Sequence, residues 1–127
     1  MTNVALSPTP FGWVPGAAGV DITPATALTA LGAGVTTVTF PNFNGNVILI
    51  VNNGSGSTVN VQPVAVRTVE GQSVTVPAFA LPAGKVQAFG PFPPNDFNVA
   101  GTMTVNVAGA ASVTGGAFQM TQAAAQI

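Results

Sequence analysis

The sequence predicts an all-β protein: an antiparallel β-sandwich or jelly-roll-like domain with an irregular N-terminal arm. Three observations predict it. Short runs of Val, Ile, Thr and Phe alternate with polar residues at the two-residue period of a strand. Clusters of Gly, Pro and Asn interrupt these runs about every 8 to 12 residues, the turn spacing of sandwiches and jelly rolls. The segment Gly90-Pro91-Phe92-Pro93-Pro94 is excluded from a central strand, because each proline removes an amide donor and fixes φ near about −65°. It therefore marks a corner, extended along an edge, with Phe89, Phe92 and Phe97 available to anchor it. A chain of 127 residues is long enough for one such domain to build a core without metal or disulfide staples.

Residues 1–32 form the arm, 33–121 the sandwich domain and 122–127 a tail. In the arm Pro8, Pro10, Pro15 and Pro24 interleave with Gly12, Gly16, Gly19 and Gly32, a density that breaks helix and strand periods alike. The arm nevertheless carries Phe11 and the only tryptophan, Trp13. Large apolar groups on an irregular segment dock on something. The sequence leaves open whether that is the chain's own core or a neighbour. Thr23 to Leu31 fits two turns of helix, with Thr23 as N-cap and Pro24 at the first helical position.

From Val35 the pattern is β. Val35 to Phe40 is rich in β-branched residues, with Val38 and Phe40 on one face and Thr37 and Thr39 on the other. Pro41 ends it, and Asn44-Gly45 is a turn dipeptide whose residues both tolerate positive φ. Asn46 to Asn52 is apolar on both faces, as a central strand covered on both sides requires. After the loop Asn53 to Ser57, Thr58 to Gln62 alternates strictly. Beyond Pro63 the inward parity passes to Val64 and Val66, the mark of a bulge. Glu70-Gly71 turns the chain into a strand from Gln72 to Val76, and Pro77 closes it. A Pro-Ala-Gly-Lys turn precedes a strand from Lys85 to Phe89. Ala100-Gly101 turns into Thr102 to Val107, with Met103, Val105 and Val107 inward. A last hairpin pairs Ser112–Thr114 with Ala117–Thr121 across Gly115-Gly116, with Phe118 and Met120 inward. The Ala/Gln-rich tail frays or adds a short helix.

Charge narrows the function. Only Arg67, Lys85, Asp21, Glu70 and Asp96 are charged, 4% of the chain, against about 25% in ordinary soluble domains. A near-neutral surface of Thr, Asn, Gln and Ser favours association over repulsion, so a protein packed against copies of itself or a larger partner is expected. Two basic residues make no cationic footprint for nucleic acid. The longest aliphatic run, Val47 to Val51, falls far short of the ~20 residues of a membrane helix. The N-terminal MTNVALSPTP has neither a basic nor an apolar leader region, so no secretory signal is read and an intracellularly made chain is expected.

With no His and no Cys, catalytic triads, thiol chemistry and His-based metal sites have no residues to use. Asp21, Glu70 and Asp96 stand apart in sequence, outside any glycosidase, aspartic-protease or calcium-loop pattern. They read as turn or capping residues. Arg67 and Glu70 are spaced to pair. Asn53-Gly54-Ser55 matches a glycosylation sequon and is read as loop chemistry, and no Gly-rich stretch has the helix and Lys of a phosphate cradle. The reading is therefore non-enzymatic, with no cofactor and no metal. Candidate interaction residues are Phe11, Trp13 and Phe92. Trp13 is either an interface anchor or a core plug.

Along the C-terminal half, Val74-Thr-Val-Pro77, Leu81-Pro-Ala-Gly84-Lys85, Phe89-Gly-Pro-Phe-Pro-Pro94, Phe97 and Gly101-Thr-Met-Thr-Val-Asn-Val107 follow one another. This order resembles small virion proteins of tailed bacteriophages, many of them head decoration (cement) proteins. The resemblance implies a β-sandwich on the outer surface of a capsid, with the major capsid protein as partner and a homo-oligomer, a trimer by preference. It implies no catalytic residue. A tail or fibre component and a carbohydrate-binding or host-surface-binding sandwich module are the alternatives. Eight Phe, one Trp and no Tyr argue against the sugar-binding one.

Overall fold

The computed structural model describes residues 2–11, 21–24, 26–28, 35–108 and 112–120. Its strands are β1 (Thr2–Ala5), β2 (Thr9–Phe11), β3 (Thr26–Ala27), β4 (Val35–Pro41), β5 (Val47–Asn53), β6 (Val59–Pro63), β7 (Thr68–Val69), β8 (Gln72–Ser73), β9 (Phe79–Leu81), β10 (Val86–Phe89), β11 (Thr102–Ala108) and β12 (Val113–Met120). A single helical turn, α1 (Pro94–Phe97), lies between β10 and β11.

The Val/Thr alternation of β4 buries Thr36, Val38 and Phe40 and leaves Thr37 and Thr39 on the outer face. Its partner β11 buries Met103, Val105 and Val107 in register with it. These strands form one sheet in the order β1-β4-β11-β6-β9. The apolar run of β5 takes an interior position in the second sheet, ordered β10-β5-β12-β2, with β3 also on β12. Val38, Phe40, Val59, Val61, Leu81, Met103 and Val105 from the first sheet meet Val47, Leu49, Val51, Val113 and Ala117 from the second in one cluster. Two sheets sharing one inner layer make the predicted β-sandwich. Ile50 and Phe118 are also buried, on the opposite face of the second sheet, so the expectation that β5 is covered on both sides holds at Ile50. β7 and β8 pair only with each other as an exposed hairpin.

Several expectations are corrected. The pairing is mixed, not purely antiparallel: β1 runs parallel to β4 and β2 parallel to β12. The described residues of the arm are not irregular. Three strands, β1 to β3, add to both sheets, and Leu6 and Leu28 enter the core. Short strands at sheet edges tolerate the prolines that break longer ones. The helix expected over Thr23 to Leu31 is replaced, where described, by β3, and the Leu28 amide donates to the Val113 carbonyl at 2.7 Å. Of the arm, residues 12–20 lie outside the described residues, as does the tail at 122–127.

Nor does Gly115-Gly116 turn a hairpin, since β12 runs through it. Its inward residues are Val113, Gly115 and Ala117, because Leu28 occupies the space over Gly115, where a Cβ would come within 2.7 Å of its Cδ1. Phe118 therefore faces away from the core, and Met120 is exposed. β6 stops at Pro63 without a bulge carrying Val66 inward, and Val66 is exposed. The strand expected from Gln72 to Val76 is confined to Gln72–Ser73. Arg67 pairs with Asp96 at 3.6 Å instead of with Glu70.

Candidate interaction surface

One end of the sandwich is built by the β4–β5 loop, the stretch from α1 to the start of β11, and the limb that carries β7 and β8. An amide at the base locks it. Asn42 is fully buried, and its Nδ2 donates to the Phe92 carbonyl at 3.0 Å and to Asn98 Oδ1 at 3.1 Å. Asn98 Nδ2 returns a bond to the Asn42 carbonyl at 2.7 Å, and the Asn42 amide donates to the Gly101 carbonyl at 2.8 Å. Val99 and Thr102 exchange both backbone hydrogen bonds across Ala100 and Gly101, whose φ values are 50° and 81°. That is the two-residue hairpin geometry in which both central residues need positive φ.

On this base sits an aromatic ring in water. Phe43 is 72% exposed, and its ring lies so close over Gly101 that a Cβ there would collide with it. Val99 is 63% exposed. Beside the same loop, Asn46 Nδ2 donates to the Met120 carbonyl at 2.6 Å and the Met120 amide donates back to the Asn46 carbonyl at 2.9 Å, with the Met120 side chain exposed. The Val66 amide donates to the Asp96 carbonyl at 2.8 Å and ties in the limb, where Val66, Val69 and Val74 are exposed. The charges here are the Arg67–Asp96 pair and Glu70 at the hairpin turn. Lys85 belongs to the turn at the other end of β5, where the Gly84 amide reaches the Asn53 carbonyl. Phe43 and Val99 stand on a hydrogen-bonded, glycine-floored base that is fixed before any partner arrives, which lowers the entropic cost of docking.

Of the three candidate residues, Phe92 alone has a described side chain. Phe92, expected to be available for interaction, is 6% exposed and packs between Phe40 and Phe97, at ring-centroid distances of 6.2 and 5.5 Å. It is a core residue of the corner, and its carbonyl holds Asn42. Phe11 contributes its backbone to β2, and its side chain lies outside the described residues, as does Trp13. Reading by motif passed over Phe43. Its signal is an aromatic residue inside Pro41-Asn42-Phe43-Asn44-Gly45, a turn-forming stretch that leaves a large side chain little inward space.

A cleft of about 170 Å³ lies where β2 and residues 21–26 meet β12, lined by Leu6, Thr9, Asp21, Thr23 and Phe118 among others. Asp21 is the one ionisable group among these described lining residues. Bonding from Thr23, whose amide donates to Asp21 Oδ1 at 2.9 Å, holds its carboxyl below the usual range. Among the described residues, no three acidic side chains gather as a metal site would require. No family model matches the chain, and no curated protein or solved structure matches it significantly.

Proposed function

We propose that this chain is a non-enzymatic virion structural protein, a decoration (cement) protein that binds the outer surface of a tailed-phage head and stabilises the shell. The observation that carries the reading is the apolar loop end of an almost uncharged sandwich, with Phe43 and Val99 exposed on an ordered base. A cement protein needs to bury surface against capsid subunits and sibling copies. It needs no titratable chemistry, and apolar anchors with few competing charges suit such a contact. The order of motifs from Val74 to Val107 supports the same reading through its resemblance to small phage virion proteins. The major capsid protein is then the partner of the loop end, and a trimer of this chain at a local symmetry axis is the preferred assembly.

A tail or fibre role makes the same demands on the surface, so the experiment sets the two apart. Purified protein is co-sedimented with empty heads that lack it and, separately, with isolated tails. Saturation at a fixed ratio per capsid subunit, with raised thermal resistance of the heads, supports the decoration role. Binding to tails alone replaces it with the second reading.

A further inference from the structure

The chain contains two Asn-Gly dipeptides, Asn44-Gly45 and Asn53-Gly54, and the fold gives them opposite surroundings. Asn53 is fully buried, and its amide is occupied on both sides. Nδ2 donates to the Ser57 carbonyl at 2.8 Å and the Leu81 carbonyl at 3.0 Å. Oδ1 accepts from the Ser55 amide at 3.1 Å and from Ser55 Oγ at 2.6 Å. The Gly54 amide is held by the Ser112 carbonyl at 3.0 Å. Asn44 is exposed, and its side chain makes no hydrogen bond to the described residues. The Gly45 amide has only a long contact, 3.4 Å, to the Asn42 carbonyl, and Gly45 sits at φ 69°.

We propose that Asn44-Gly45 is a site of spontaneous succinimide formation and deamidation in the folded protein, and that the fold protects Asn53-Gly54 from the same reaction. The Gly45 nitrogen, on losing its proton, attacks Asn44 Cγ. The new N–Cγ bond closes a five-membered imide as the Cγ–Nδ2 bond breaks, and the departing nitrogen takes up protons to leave as ammonia. Water then adds to one of the two imide carbonyls and opens the ring to aspartate or isoaspartate. No electrons are exchanged, and water is the sole co-reactant. At Asn53 the two Nδ2 bonds and the two Oδ1 bonds hold the amide in place. The Gly54 nitrogen would also have to give up its own partner before turning on it. Local opening of the loop must come first there, and that slows the reaction in proportion to the rarity of the open state.

The product changes the loop end. A carboxylate appears next to Phe43 and takes the formal charge of the chain from −1 to one unit lower. Isoaspartate adds a backbone atom to a loop packed so tightly that a Cβ on Gly45 would lie 2.8 Å from Pro94 Cδ. The surface that carries Phe43 thereby acquires an age-dependent alteration.

The test is to age the folded protein in mildly alkaline buffer beside a sample kept unfolded in urea. Chymotryptic cleavage after Phe43 and Leu49 separates the two dipeptides for mass analysis. In the folded sample the Asn44 peptide is expected to gain the mass of an amide-to-carboxylate exchange roughly tenfold or more faster than the Asn53 peptide. In urea the two rates converge. Equal rates in the folded protein, or an Asn44 peptide that reacts in urea and stays intact when folded, would overturn the proposal. An Asn44→Gln variant, which removes the reactive ring size at an exposed position, supplies the unreactive control.

Discussion

Phe92 and Phe43 sit on either side of the same amide lock, one turned in and one turned out, and truncating each to alanine separates packing from docking. Phe92 is buried, with Phe40 and Phe97 against it, and removing a phenylalanine ring from such a site costs about 3–5 kcal/mol. A folded domain is stable by about 5–15 kcal/mol in all, so Phe92→Ala removes a large share. With an unfolding entropy of about 2.1 cal/mol/K per residue over 127 residues, roughly 0.27 kcal/mol/K in total, the melting midpoint falls by about 11 to 19 °C. Phe43→Ala, at 72% exposure, stays within about 0.5 kcal/mol of the parent. Urea unfolding followed by circular dichroism reads both, with the denaturant slope unchanged if the folded states are alike. A Phe92→Ala loss under about 1 kcal/mol, or a Phe43→Ala loss above about 2 kcal/mol, would refute this division between core and surface.

Three further outcomes follow from the same packing. Gly115→Ala drives a Cβ to 2.7 Å from Leu28 Cδ1 and costs about 1–3 kcal/mol. Combining it with Leu28→Ala, itself destabilising, gives a total smaller than the sum of the two in urea melts, and strict additivity would contradict the contact. Asn42→Ala leaves the Phe92 carbonyl without its amide donor, so a loss of about 1–3 kcal/mol is expected, together with faster hydrogen exchange in the Val99–Thr102 turn. Asp21 has its carboxyl held below 3.8, first by the Thr23 side-chain hydrogen bond and then by the Thr23 amide. Its stabilising contribution is present above that pH and is lost as the pH falls through the folded value. Asp21→Asn should therefore flatten the acid limb of a stability-against-pH curve below about 3.8 and leave its shape at neutral pH unaltered.

Where side chains carried the pattern, the fold was legible. β4 and β11 emerged with their inward residues because Val, Phe and Met mark one face and Thr and Asn the other, and β5 emerged as an interior strand from its unbroken apolar run. β12 was misread because its core face is Val113, Gly115 and Ala117. Small residues leave no hydrophobic signature, and the large Phe118 belongs to the other face. The gap over Gly115 is filled by Leu28, nearly ninety residues away, and local periodicity carries no information on such a contact. The same blindness hid the arm: β1 and β2 are edge strands held by pairing with β4 and β12, and Pro8 and Pro10, before and within β2, spoke only of irregularity. At the candidate surface the turns at Asn44-Gly45 and Ala100-Gly101 were visible. Their union through Asn42 and Asn98, which seats Phe43 over Gly101, depends on two loops over fifty residues apart.

Docking of the loop end onto a phage head, as proposed, depends on Phe43 and Val99. The most direct measurement is a binding titration of empty heads lacking the protein with the parent chain and with a Phe43→Ser, Val99→Ser double variant whose urea midpoint matches the parent. Saturable parent binding at a fixed ratio is expected, with the variant at least about tenfold weaker, as loss of an apolar anchor entails. A variant that binds like the parent, or a parent that does not bind heads at all, would contradict the proposal.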